Sequence, residues 1–225
     1  VSELWARGKK NILGYGISLM LKFSFILIIP PALLMMTFPE IIIRLFFGEA
    51  FLPVVLTLQI LSIGSIFYAI LSISSMTLMG MGKPFINTKV MFLIAIFNLI
   101  SNILLIPSLG TVGAAATTTI SYMIGSFMLL HFLKKNIRIK IPYKPLLKAF
   151  IGGFFTLLII LLLKEVLILN PWVEAFICLF LGTIFYMFFI LSTKAITKDD
   201  LRVLSKINVP IPKLLIKISG RVVGG

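Results

Sequence analysis

Residues 98–122 read NLISNILLIPSLGTVGAAATTTISY, and they decide the fold. The stretch is almost wholly apolar, yet it carries two asparagines four apart, a proline, a glycine and a ladder of small residues. Two membrane helices joined by a tight turn account for all of these at once. Pro107-Ser108-Leu109-Gly110 is the turn, with Pro107 expected to stop one helix and Gly110 to permit the reversal. Asn98, Ser101 and Asn102 stand at i, i+3 and i+4 and share one helix face. Facing lipid, their amides would be unpaired, so they are expected to look towards another helix or a wet cavity. Interhelical hydrogen bonding and a substrate-lining role both fit that position. Gly113, Thr117, Ser121 and Gly125 recur every four residues, the small-xxx-small seam that lets membrane helices approach closely.

The rest of the chain has the same character. Of its 225 residues 60% are hydrophobic and 12% are charged, against about 25% charged in soluble domains. A soluble fold of this length lacks the polar surface it would need, and bilayer is the expected solvent. Spans of about 20 apolar residues are required to cross it. Six stretches qualify, at roughly 14–38, 53–80, 89–106, 112–133, 146–169 and 173–193. The expected fold class is therefore all-α and integral to the membrane, with a six-helix domain over 13–193. A cytoplasmic loop over 1–12 precedes it, and a basic cytoplasmic tail over 194–225 follows.

The net charge of +14 does not indicate nucleic acid, because the charges sit between apolar runs. One side of the membrane collects 18 Lys and Arg, from Arg7 to Lys10, at Lys83 and Lys89, over 134–148 and in the tail. The other holds Arg44 and Lys164 beside Glu40, Glu49, Glu165 and Glu174. By the positive-inside rule both termini face the cytoplasm, and an even number of spans agrees in placing them on one side. The stretch 39–51 is too short to span and reads as an outer-surface helix. Thr197-Lys198-Asp199-Asp200 resembles a capping box opening a short amphipathic helix on the inner leaflet. The chain opens on Val rather than Met, which reads as a piece whose N-terminal part is missing.

Several polar residues inside the spans are candidates for a substrate path. Lys22 stands deep in the first span, where a cation costs roughly 2.5–3.5 kcal/mol on insertion scales and usually faces a cavity or partner. Snorkelling to the interface is the other reading; a cavity lysine would suit an anionic substrate such as a diphosphate-linked lipid. Ser65, Tyr68, Ser72 and Ser75 form a stripe on the second span, fit for a hydroxylated ligand or for helix contacts. Pro30 and Pro31 bend the first span and offer a hinge. With one Cys (Cys178) and one His (His131), no metal site and no cofactor are expected. No Asp or Glu lies inside any span, so the acid of an ion-coupled exporter would have to lie elsewhere.

These residues also carry a family resemblance. Leu45-Phe46-Phe47-Gly48, the run Leu61 to Gly64, Gly82-Lys83-Pro84, Asn98 to Pro107 and Gly110 to Ala115 follow one another in a characteristic order. In this the chain resembles the C-terminal part of the polysaccharide-biosynthesis membrane proteins, the O-antigen-type oligosaccharide flippases of the MATE-like superfamily. The stretch SELWARGKKN, residues 2–11, is similar to the cytoplasmic loop before that part. The resemblance implies two pseudo-symmetric lobes around a central cavity, of which this chain supplies the C-terminal helices. It implies translocation of lipid-linked oligosaccharide across the plasma membrane without covalent chemistry. Membrane lipids, that substrate and a missing N-terminal lobe of the same protein are the implied partners. Alone, the segment is expected to be inactive. A multidrug or small-molecule exporter of the same superfamily, a membrane-embedded transferase module and a non-transporting scaffold are the alternatives.

Overall fold

A computed structural model describes residues 1–167, 170–197 and 200. Its elements are helices, with no strand among the described residues. The chain divides into two compact units, Val1–Ile141 and Pro142–Gly225.

The first unit begins with a short helix, α1 (Ser2–Ala6), within the segment expected to be a loop. α2 (Lys10–Thr37) follows, a 28-residue helix about 42 Å long at roughly 1.5 Å per residue. The helix continues through Pro30 and Pro31. Phe38 leaves helical geometry (φ −128°), and Pro39 restarts the chain as the first residue of α3 (Pro39–Phe46). Arg44 in the last turn of α3 pairs with Glu49 at 2.7 Å across the turn at Gly48. A 3-10 turn over Glu49–Val54 then leads into α4 (Val55–Gly80).

α5 runs from Pro84 to Asn136 and is interrupted by non-helical geometry at Gly110 (φ 57°, ψ −136°). A straight helix would hold Asn98 and Thr118 about 30 Å apart. Asn98 Nδ2 is instead 3.5 Å from Thr118 Oγ1, so α5 folds back on itself, with one limb over 84–109 and a second over 111–136. The reversal differs in detail from the sequence expectation. Pro107 does not end the first limb; the helix continues through it and turns at Gly110. Proline's fixed φ is compatible with helix, whereas a positive φ with this ψ is open essentially to glycine alone.

α4 is the centre of this unit, packed on α2 and on α5. Leu13, Ile17 and Leu21 of α2 meet Leu71 and Leu78 of α4 and Val90, Ile94, Leu129 and Leu133 of α5 in a continuous apolar core. Glycines set the closest approaches. A Cβ on Gly14 would stand 2.5 Å from the carbonyl oxygen of Arg138, and one on Gly64 would stand 2.7 Å from Thr119 Oγ1.

The second unit pairs α6 (Tyr143–Val166) with α7 (Pro171–Ser192). Asn170 caps α7 by accepting the Trp172 N–H at 3.0 Å. Gly152 lies against the Phe189 ring and Gly182 against Ile160, while Tyr186, Cys178 and Ile190 are buried. Beyond α7, Asp200 Oδ2 accepts the Thr197 N–H at 2.6 Å, and the Asp200 N–H reaches back to Thr197 Oγ1 at 3.4 Å. That is the reciprocal pattern of a capping box. The helix expected after it lies outside the described residues.

Among the described residues five helices are long and apolar enough to cross a membrane, the folded α5 counting as one of them. Their outward faces carry large apolar side chains, among them Leu27, Phe92, Leu104, Phe176 and Phe180, each more than half exposed. Contiguous apolar surface on this scale is foreign to soluble monomers and suits hydrocarbon.

Candidate translocation site

Lys22 lies twelve residues into α2, about 18 Å along its axis from Lys10. The side chain is 5% exposed. It shares the packed face of the helix with Ser18, Ile26 and Ile29, all buried. A lysine stretched along a lipid-facing helix to reach headgroups would show much of its stem; this one is enclosed by protein. Ser18, one turn before it, satisfies its hydroxyl by donating to the Gly14 carbonyl at 2.8 Å.

On α4 the buried positions Gly64, Leu71, Ser74 and Leu78 define the packed face. Ser65, Ser72 and Ser75 each follow a member of that row by one residue and are half-buried, and Tyr68 joins them at 52% exposure. One residue is about 100° of helix, so the hydroxyl stripe runs along the margin of the packed face. Ser65 donates to the Ser62 carbonyl at 2.6 Å, a back-bond that lowers the cost of a hydroxyl in an apolar helix. The Tyr68 ring lies 5.1 Å from the ring of Tyr122 in the second limb of α5.

The asparagines form a connected network. Asn102 Nδ2 donates to Asn98 Oδ1 at 3.0 Å, Asn98 Nδ2 reaches Thr118, and the Thr117 hydroxyl donates to Asn102 Oδ1. Each amide therefore finds polar partners within the hairpin. Thr118 and Tyr122 are one turn apart, so the amide network and the Tyr68–Tyr122 contact occupy neighbouring positions on one face of the second limb. Through it the α4 stripe and the asparagines are adjacent.

The row Gly113, Thr117, Ser121 and Gly125 is buried throughout. A Cβ on Gly113 would stand 2.7 Å from the Leu105 carbonyl oxygen, and one on Gly125 would meet Leu71 and Ile94. Pro30 is half-buried and Pro31 exposed, both inside α2.

Four contacts lie outside the sequence reading. Gln59 Nε2 donates to the Met36 carbonyl at 2.8 Å, satisfying an acceptor in the last turn of α2. Thr119 Oγ1 donates to the Ile60 carbonyl at 3.2 Å and ties α5 to α4. Lys10 and Lys83 stand over the Trp5 ring at 5.1 and 5.7 Å. A glutamine near a span end was the one visible signal, since a primary amide there needs a partner. In chemical terms the amides and the row of hydroxyls suit a hydroxylated group, and the enclosed ammonium on α2 suits an anionic one.

No family model matches the chain. Three relatives and one solved structure place it nonetheless. It is 37% identical over 191 residues to the uncharacterized membrane protein MJ1068 of Methanocaldococcus jannaschii, covering 85% of this chain and 37% of that one. It is 25% identical over 186 residues to the probable low-salt glycan biosynthesis flippase Agl15 of Haloferax volcanii, covering 83% of this chain and 39% of the relative. MJ1375 of M. jannaschii, another membrane protein, is 34% identical over 104 residues, 44% of this chain and 25% of that one. Among solved structures, the lipid II flippase MurJ in its inward closed conformation superposes with a TM-score of 0.73 at 24% identity. That match covers 84% of this chain and 40% of MurJ and establishes a MurJ-like fold. The chain thus spans about two fifths of the length of MJ1068, Agl15 and MurJ. Apolar helices and membrane-protein kin together make it a multi-span membrane protein.

Proposed function

We propose that the chain belongs to a flippase-type family of membrane proteins and takes part in moving lipid-linked oligosaccharide across the plasma membrane during surface glycan assembly. The kinship with Agl15 and the MurJ-like fold support this reading at the level of the protein class. The observation that carries it to particular residues is the enclosure of Lys22, 5% exposed, in the middle of an otherwise apolar helix. A cation at this depth is costly and usually faces a cavity or a partner, and its charge suits the anionic phosphate linkage of a lipid carrier.

In this mechanism the polar headgroup occupies a cavity between two lobes while its lipid tail stays in the bilayer. The lobes rock to expose that cavity to each side in turn, as repeat-based transporters do. Lys22 attracts the phosphate; Ser65, Tyr68, Ser72, Ser75, Asn98 and Asn102 line the sugar path. Pro30 and Pro31 absorb the bending of α2. The first and second limbs of α5 count as two crossings, giving six in this segment and both its ends in the cytoplasm. The matching lobe belongs to the part of the longer relatives that this chain does not cover, and the segment alone does not transport. No bond is made or broken, so the protein is a carrier rather than an enzyme.

The test is complementation of a depletion strain by Lys22→Ala and Lys22→Arg in the full-length protein. Arg is expected to retain glycan export and Ala to lose most of it at equal membrane abundance. Full activity in both variants would remove Lys22 from the path.

A further inference from the structure

On the basic side of the first unit, the start of α2 and the end of α5 enclose a cleft of about 280 Å³. It is lined by Lys10 and Asn11 from α2 and by Lys134, Lys135, Asn136 and Arg138 from the end of α5 and beyond, over a buried Ile137 floor. No carboxylate is among the lining residues. The walls are fixed in position. Gly14 admits the Arg138 carbonyl where a Cβ would stand 2.5 Å from it, which locks the 137–138 segment onto α2. Asn136 is held by donating to the Phe132 carbonyl at 2.7 Å and by accepting from Lys83. Lys10 is steered by the Trp5 ring.

Apolar helix begins directly beneath. Ile12 is 55% exposed on α2, next to the cleft, and a second hollow of about 310 Å³ continues past Lys9, Lys10 and Asn11 to reach it. Four cations with no carboxylate among the lining residues, opening onto exposed apolar surface, match a ligand with a phosphate head and hydrocarbon tails. We propose that this cleft is a binding site for the phosphate of an anionic membrane lipid in the adjoining leaflet. It is separate from the enclosed Lys22 and does not depend on the transport reading. Basic pockets at the ends of membrane helices recognise phospholipid headgroups by this chemistry.

The experiment is native mass spectrometry of the purified full-length protein with added phosphatidylglycerol, using phosphatidylcholine as the zwitterionic control. Lys10→Gln/Lys135→Gln/Arg138→Gln is compared with Lys89→Gln/Lys144→Gln/Lys164→Gln, which removes equal charge elsewhere. Phosphatidylglycerol retention is expected to fall at least tenfold in the first variant and by less than twofold in the second. Gly14→Ala, which keeps every charge but displaces the wall, is expected to weaken retention too and serves if the triple variant does not fold. Added inorganic pyrophosphate and a polyprenyl diphosphate distinguish the source of the phosphate. Competition by either lipid alone supports the site, whereas equal competition by pyrophosphate would make it a site for free phosphate. Equal retention in the two triple variants, or an equal loss in both, overturns the proposal.

Discussion

Asn98 Nδ2 stands 3.5 Å from Thr118 Oγ1, although twenty residues separate them. The contact exists because α5 reverses at Gly110, and it makes the hairpin the best-defined testable feature of this fold. Asn102→Leu is expected to take from Asn98 Oδ1 its donor, while Thr117 keeps the Ala114 carbonyl as acceptor, and to destabilise the protein in detergent by about 1–2 kcal/mol. Asn98→Leu/Asn102→Leu removes both ends of one bond and should recover part of that loss. A thermal unfolding series on the two variants measures the difference.

Gly110 itself is the second test. Its φ of 57° with ψ of −136° lies where side chains are strained, although nothing stands within 4 Å of a Cβ placed there. Gly110→Ala is therefore expected to cost about 1–3 kcal/mol through backbone strain alone. Gly16→Ala, at a helical position with nothing within 4 Å, should be neutral or slightly stabilising. Equal melting temperatures for the two variants would deny Gly110 its place as the turn.

The small-residue seam separates into a rigid and a yielding end. At Gly113 an added methyl meets the backbone carbonyl of Leu105, which cannot move without moving the helix. At Gly125 it meets the tips of Leu71 and Ile94, which can rotate. Gly113→Ala should thus cost more than Gly125→Ala, by about 1 kcal/mol or more, in the same unfolding assay.

Sidedness gives a fourth prediction. Cys178 is fully buried, so it gives little background to a membrane-impermeant thiol reagent. Ser108→Cys and Lys140→Cys, both at exposed positions, are expected to react from opposite sides of the membrane. Reaction from one side only would contradict two crossings in α5 and the six-span reading.

Much of this was legible in the residues. The apolar runs, the turn near Pro107–Gly110 and the seam from Gly113 to Gly125 are local patterns, and local pattern fixes helix position and face. Pro107 reads as the helix stop because proline lacks a donor, but its φ suits helix, and the glycine with positive φ makes the turn. The α6–α7 seam was missed although Gly152, Thr156 and Ile160 stand four apart, because one large partner, Phe189, fills the space opposite Gly152. Asn98 and Asn102 could be placed on an inward face but not assigned partners, since Thr117 and Thr118 become neighbours only once the chain reverses. The cleft at Lys10 and Arg138 was invisible for the same reason: 128 positions of sequence separate two residues that line one wall-to-wall space.

The transport reading faces its most direct test in the sidedness of the substrate itself. In cells depleted of the full-length protein, lipid-linked oligosaccharide is assayed in each leaflet with an impermeant glycan-modifying probe. Accumulation in the cytoplasmic leaflet, with a matching fall outside, is the predicted result. An unchanged distribution between leaflets, with small-molecule efflux altered instead, would contradict it.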